Sequence, residues 1–78
     1  MDHALLFARW ETLERWYEFE VLYDLLGDWV MMRRWGGKGS DRHGKRTVLI
    51  SNEAEGHQII EKIDKVRRSR KTPYWRVY

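Results

Sequence analysis

The residues best equipped for chemistry lie between positions 33 and 46, RRWGGKGSDRHGKR. This stretch gathers Arg33, Arg34, Lys38, Arg42, Lys45 and Arg46 with His43, and four of the six glycines, Gly36, Gly37, Gly39 and Gly44. Such a composition suits a loop that cradles a nucleotide's phosphates, a basic hairpin that grips nucleic acid, or a solvated turn. The first use fails on detail. Gly39 to Lys45 follows the spacing G-x-x-x-x-G-K, but Arg46 stands where a hydroxyl must hold magnesium. The next residues, Thr47 to Ile50, read as a strand, whereas that motif needs a helix whose N-terminus faces the phosphates.

Other catalytic groupings are weaker. His57 lies four residues from both Glu53 and Glu61, a spacing that suits a metal on one helix face. The same spacing describes an ordinary salt-bridged helix surface. Glu18 and Glu20 share a strand face, and exposed alternation accounts for them. His3 and His43 lack the neighbours that nucleophilic catalysis requires. An enzyme is not expected, and neither a cofactor nor a metal is called for.

The elements that position the basic stretch follow from periodicity. Residues 4–10, ALLFARW, form a short apolar run expected to be an edge strand, and ETLER reads as a turn. In RWYEFEVLY, Tyr17, Phe19, Val21 and Tyr23 alternate with Trp16, Glu18, Glu20 and Leu22, the pattern of a half-buried strand. Gly27 and Asp28 supply turn chemistry. In WVMMRRW, Trp29, Met31, Arg33 and Trp35 share one face. The glycine-rich stretch is expected to connect this strand to KRTVLI, rich in β-branched residues. The expected strands are 16–23, 29–35 and 46–50, in an antiparallel meander.

From Ser51 the period changes. Ser51 or Asn52 can cap a helix over about 52–68, with Glu53 and Glu55 in its first turn. Ile59, Ile60, Ile63 and Val66 form its apolar stripe, and Lys62, Lys65, Arg67 and Arg68 crowd its last turns. YWRVY reads as a final strand.

Seventy-eight residues are read as one domain, 1–78, with a small core. There is no Cys, so five Trp, four Tyr and two Phe must supply much of the buried apolar area. No run approaches the ~20 apolar residues that a membrane helix needs. No stretch reads as a signal peptide, and the expected location is the cytoplasm with no membrane partner. The net charge of +3 conceals an asymmetry: residues 1–28 carry seven carboxylates against two arginines, and residues 29–78 carry thirteen Lys and Arg against five carboxylates. Such polarity favours an anionic partner.

Taken in order, RWYEFEVLYDLLGDW, VMMRRWGGKGSDRHGKR, a strand, SNEAEG, an amphipathic helix and a late YW pair resemble the WGR domain, from about Leu5 to Tyr78. That family is named for a Trp-Gly-Arg signature and occurs in poly(ADP-ribose) polymerases and in small stand-alone bacterial proteins. The resemblance implies an α+β fold, a small twisted antiparallel sheet with one helix packed across it. In the polymerases such domains bind DNA near strand breaks, with the signature Trp against a terminal sugar. Trp35 matches that Trp, and Gly36 matches the next position. Gly37 stands where the family has Arg, the residue that in the polymerases helps join DNA to adjacent domains.

The expected function is therefore non-catalytic binding of nucleic acid, chiefly double-stranded DNA at or near ends and nicks, with RNA not distinguished. The expected contact residues are Arg33, Arg34, Trp35, Gly36, Gly37, Lys38, Arg42, Lys45 and Arg46. Lys65, Arg67, Arg68, Arg70 and Lys71 extend that surface if the fold brings them to the same side. The alternative is a protein–protein interaction module using its acidic and basic halves or an exposed sheet edge.

Overall fold

Apolar side chains alternating along four strands bury one sheet face and leave the other wet unless something covers it. A computed structural model describes residues 3–70 and 73–77, with side chains from Leu6 onward. It shows a small α+β fold: β1 (His3–Glu11), β2 (Arg15–Tyr23), β3 (Trp29–Gly37), β4 (His43–Ile50), α1 (Glu53–Arg68) and β5 (Trp75–Arg76). The strands form one antiparallel sheet in the order β4-β3-β2-β1-β5, and the helix packs on one face. The expected fold class is the observed one.

Across the covered face, Ala8 pairs with Phe19, Trp10 with Tyr17, and Val21 with Met31. These residues and Ile60 are the core, with Leu6, Trp29, Val48, Ile50, Ile59 and Ile63 packed around them. Asn52 caps the helix, its side chain accepting from the Glu55 N–H at 2.9 Å. Gly56 is the point of closest approach. A Cβ there would stand 2.7 Å from Val21 Cγ2, so only glycine lets the helix backbone lie this near the sheet. Near the other end of α1, Trp10 Nε1 donates to Asp64 Oδ1 at 3.0 Å, tying core to helix by a polar bond.

The turns are built from side-chain oxygens. The Thr12 hydroxyl, on a buried residue, accepts from the N–H groups of Glu14 and Arg15. Asp24 Oδ1 accepts from Leu26 and Asp28, both at 2.9 Å. Gly27 takes the left-handed backbone, φ 86°, that closes this loop.

Four expectations need correction. β1 is not a simple edge strand, because β5 pairs with it at Trp10 and Glu11. The glycine-rich stretch is not mainly a connection. β3 runs to Gly37 and β4 starts at His43, which leaves only residues 38–42 as the turn. Glycine signals a turn, but here Trp rings lie over the paired glycines and fill the space a side chain would take. The expected strand 46–50 is correspondingly three residues longer at its start. Finally, Val66 is 52% exposed. Gly56, Ile60, Ile63 and Arg67 share the inward side of the helix, and Val66 stands roughly 90° from its centre. The place the pattern assigned to Val66 belongs to Arg67, whose guanidinium lies over Tyr17.

Ile60→Ala should therefore destabilise the fold by ~2–5 kcal/mol, as large-to-small core changes do. Val66→Ala should stay within about 0.5 kcal/mol. Denaturant melts of both variants check the phase of the helix.

Candidate nucleic-acid interface

Register sorts the charges. Ala8, Phe19, Arg33 and Arg46 form one row across the sheet. Every described Lys and Arg of the sheet and its turns lies in this row or on the side toward turns 12–14 and 38–42. Five carboxylates, Glu20, Asp24, Asp28, Glu53 and Glu55, lie toward turn 24–28, with no Lys or Arg among the described sheet and turn residues there. The sequence contrast between an acidic first third and a basic remainder becomes an axis along the strands. Meander turns alternate ends, so segments distant in sequence share one pole.

At the basic pole the helix face opens into a groove of about 850 Å³. Arg33 and Arg46, directly paired across β3 and β4, stand on its sheet wall. Arg15 and Arg42 reach it from the strand start and the turn, and Arg67 and Arg70 from the end of α1. Its aromatic lining is Trp35, Tyr17, Tyr74 and the edge of Trp16. Glu14 is the one carboxylate among the described lining residues. Arg33, Arg46, Arg15, Arg42 and Arg70 have no ion pair among the described residues, and Arg33 Nε is buried with no hydrogen-bond partner.

Two Trp–Gly pairs shape the groove. Trp35 faces Gly44 across the strands, and a Cβ on Gly44 would collide with the indole. Trp35 is stacked beside Tyr17, ring centroids 6.5 Å apart and planes 14° apart, yet remains 41% exposed. It is neither a core residue nor a free one: one face is backed and the rest is open. On the opposite sheet face Trp16 lies over Gly36, where an added Cβ would stand 3.0 Å from the indole. Arg67 is held between Tyr17 and Tyr74, its guanidinium carbon 4.1 and 4.9 Å from the two ring centroids. The Tyr74 N–H donates to the Arg67 carbonyl at 3.1 Å, which ties the segment after the helix to the same wall.

The expected contact residues separate into two groups. Arg33, Trp35, Gly36, Gly37, Arg42 and Arg46 line the groove, and Arg67 and Arg70 join them. Arg34, Lys38 and Lys45 do not. Arg34 Nε lies 3.2 Å from Glu18 Oε1, and Lys38 Nζ lies 2.7 Å from Glu11 Oε1. Lys45 pairs with Arg34 in the register and alternates to that same far face. There Arg9 also bonds Glu11 and Glu18, at 2.8 and 2.6 Å. Glu18 and Glu20, read from sequence as exposed alternation, are half-buried members of this network. Lys38 and Arg9 pull the Glu11 carboxyl below its ordinary value. Desolvation lowers the Arg9 pKa, but its bonds to Glu11 and Glu18 outweigh this and leave it raised.

Compared with known families, curated proteins and solved structures, the chain matches none.

Sequence reading missed Arg15, Tyr17 and Tyr74 as groove residues. Alternation along β2 places Arg15 and Tyr17 on one face and was the available signal; Tyr74 had none, since only the return of the chain after α1 brings it there. Lys65 and Arg68 do not line the groove, and Lys71 lies outside the described residues. The acidic residues around His57 form no metal cluster among the described residues; His57 sits 3.6 Å from Glu53. Of the other Trp residues, Trp10 is buried, Trp16 and Trp29 are half-buried, and Trp75 is 47% exposed.

Two outcomes follow from this geometry. Gly44→Ala should displace the Trp35 ring, changing near-UV circular dichroism and costing ~1–3 kcal/mol, the usual range for overpacking. The lowered Glu11 pKa means its contribution to stability is present above the unfolded pKa and lost as pH falls through the folded one. Melting temperature should drop with acid in that window, and Glu11→Gln should lessen the drop.

Proposed function

We propose that this chain is a non-catalytic nucleic-acid-binding domain whose contact surface is the arginine groove. Its principal target is double-stranded DNA at or near an end or nick. The observation that carries this reading is the set of six groove arginines without an ion pair among the described residues, beside the half-exposed ring of Trp35. The same chain neutralises Arg9, Arg34 and Lys38 with carboxylates on the far face. Two arginines directly opposite each other on neighbouring strands repel. A phosphate between them removes that repulsion and releases counterions from the nucleic acid, which drives association. An aromatic ring backed on one side accepts a base or sugar on the other.

The resemblance to WGR domains supports the same reading and adds a role for Trp35, contact with a terminal sugar. Gly37 departs from that family's signature without a backbone reason. It has no left-handed φ, and a Cβ there would meet only ordinary contacts, Ser40 Cβ at 3.6 Å and Glu14 O at 3.8 Å. An arginine at this position fits and adds a cation to the groove, so Gly37→Arg should bind DNA more tightly with unchanged folding.

A salt titration tests the proposal. With blunt, nicked and closed-circular DNA, log K should fall linearly with log salt. Arg33→Gln and Arg46→Gln should each reduce the slope by about 1, whereas Lys45→Gln, on the far face, should leave it nearly unchanged. Trp35→Ala should lose ~1–3 kcal/mol, more on blunt and nicked DNA than on closed circles. Affinity independent of salt would reject the groove as a phosphate site. Equal losses from Lys45→Gln and Arg46→Gln would place the contact elsewhere.

A further inference from the structure

The pole opposite the groove carries its chemical complement. Turn 24–28, Asp-Leu-Leu-Gly-Asp, projects two leucines into solvent, Leu25 at 75% and Leu26 at 86% exposed. They are not on a loose loop. Asp24 N–H donates to the Asp28 carbonyl at 2.9 Å, Gly27 N–H donates to the Asp24 carbonyl at 3.1 Å, and Asp24 Oδ1 accepts two further backbone bonds. A rigid turn that displays adjacent leucines loses little entropy when they are buried. Asp24 and Asp28 flank them, and Glu53 and Glu55 stand nearby at the start of α1.

We propose that this acidic leucine turn docks into the arginine groove of a second copy of the chain. The leucines meet the exposed aromatic surface of Trp35 and Tyr74, and the carboxylates meet Arg33, Arg42, Arg46 and Arg70. Charge complementarity selects this occupant. The described Lys and Arg of the sheet and its turns all lie at or beyond the groove-side row, and turn 24–28 has none. A like-to-like contact would instead set groove against groove or acid against acid. Because the two surfaces differ and lie at opposite poles, the contact is head to tail, and repeated copies extend into a chain rather than closing as a dimer. The groove then has two competing occupants, an acidic turn and nucleic acid. That competition rests on the proposed function; the self-association itself does not.

Sedimentation velocity of the DNA-free protein over a concentration series at low and high salt tests the contact. The parent should form a concentration-dependent ladder of species at low salt that collapses to monomer at high salt. Leu25→Ser/Leu26→Ser should raise the dissociation constant at least about tenfold while keeping the parent's melting temperature, since neither leucine is in the core. Arg33→Glu/Arg46→Glu should be monomeric alone. Should it not fold, Arg42→Glu/Arg70→Glu takes its place. Mixed one to one, the turn variant and the groove variant retain one intact groove and one intact turn between them, so they should form a heterodimer that grows no further. A parent that stays monomeric at low salt, a turn variant that associates like the parent, or a mixture without a heterodimer would each overturn the proposal. The last two results with associating parent would point to pairing along the open edge of β4. DNA binding by the groove, measured separately, stands or falls independently of these results.

Discussion

One phenol ring joins the stable half of this molecule to the half that presents charge. Tyr17 is 5% exposed and belongs to the core, where it meets Trp10 edge to face with centroids 5.9 Å apart. The Arg67 guanidinium covers it, and Trp35 stacks beside it. The groove wall is thus an extension of core packing rather than a loop laid on the surface. Arg67 is fixed by two rings and a backbone bond to Tyr74, and Trp35 by Tyr17 and the bare backbone of Gly44. Groups held this way lose little freedom when a ligand arrives, which favours affinity.

The same fold treats its cations in two ways. On the uncovered sheet face Arg9, Arg34 and Lys38 are threaded through Glu11, Glu18 and Glu20, and Lys38 also lies 5.9 Å from the Trp75 ring centroid. On the helix face Arg33 and Arg46 oppose each other with no carboxylate between them. Directly opposed like charges are destabilising, and so is a buried N–H without a partner, as at Arg33 Nε. A domain this small has little stability to spare. Local conflicts of this kind concentrate at functional sites, and an anion set between the two guanidiniums would offset their repulsion.

Much of the architecture was legible in the sequence because period is a local property. The alternation of Tyr17, Phe19 and Val21 with Glu18 and Glu20, and of Met31 and Arg33 with Met32 and Arg34, marks both faces of the central strands. The Asn52 cap and the paired isoleucines mark the helix. What was not legible depends on partners far away in the chain. Gly36 and Gly44 look like turn residues until Trp16 and Trp35 are seen covering them. Ile63 is followed at suitable spacing by both Val66 and Arg67, and only Tyr17 and Tyr74 decide that Arg67 turns inward. Of the nine expected contact residues, strand alternation separates Arg33 from Arg34 and Arg46 from Lys45. Grouping them by composition merged two faces with different electrostatics. The acidic and basic segments were visible as blocks of sequence, whereas their arrangement as poles of one axis comes from the meander.

The central claim is that anions bind the helix-face groove and not the far face. The most direct measurement is a two-dimensional NMR titration of the protein with a short blunt-ended DNA duplex, following the five indole N–H resonances and the arginine side chains. The account predicts large shifts for Trp35, Arg33, Arg46 and Arg67 that saturate together and diminish with added salt. Trp10 and Trp29 should barely respond. Shifts centred on Trp75, Arg34 and Lys45, or an unchanged spectrum, would contradict it.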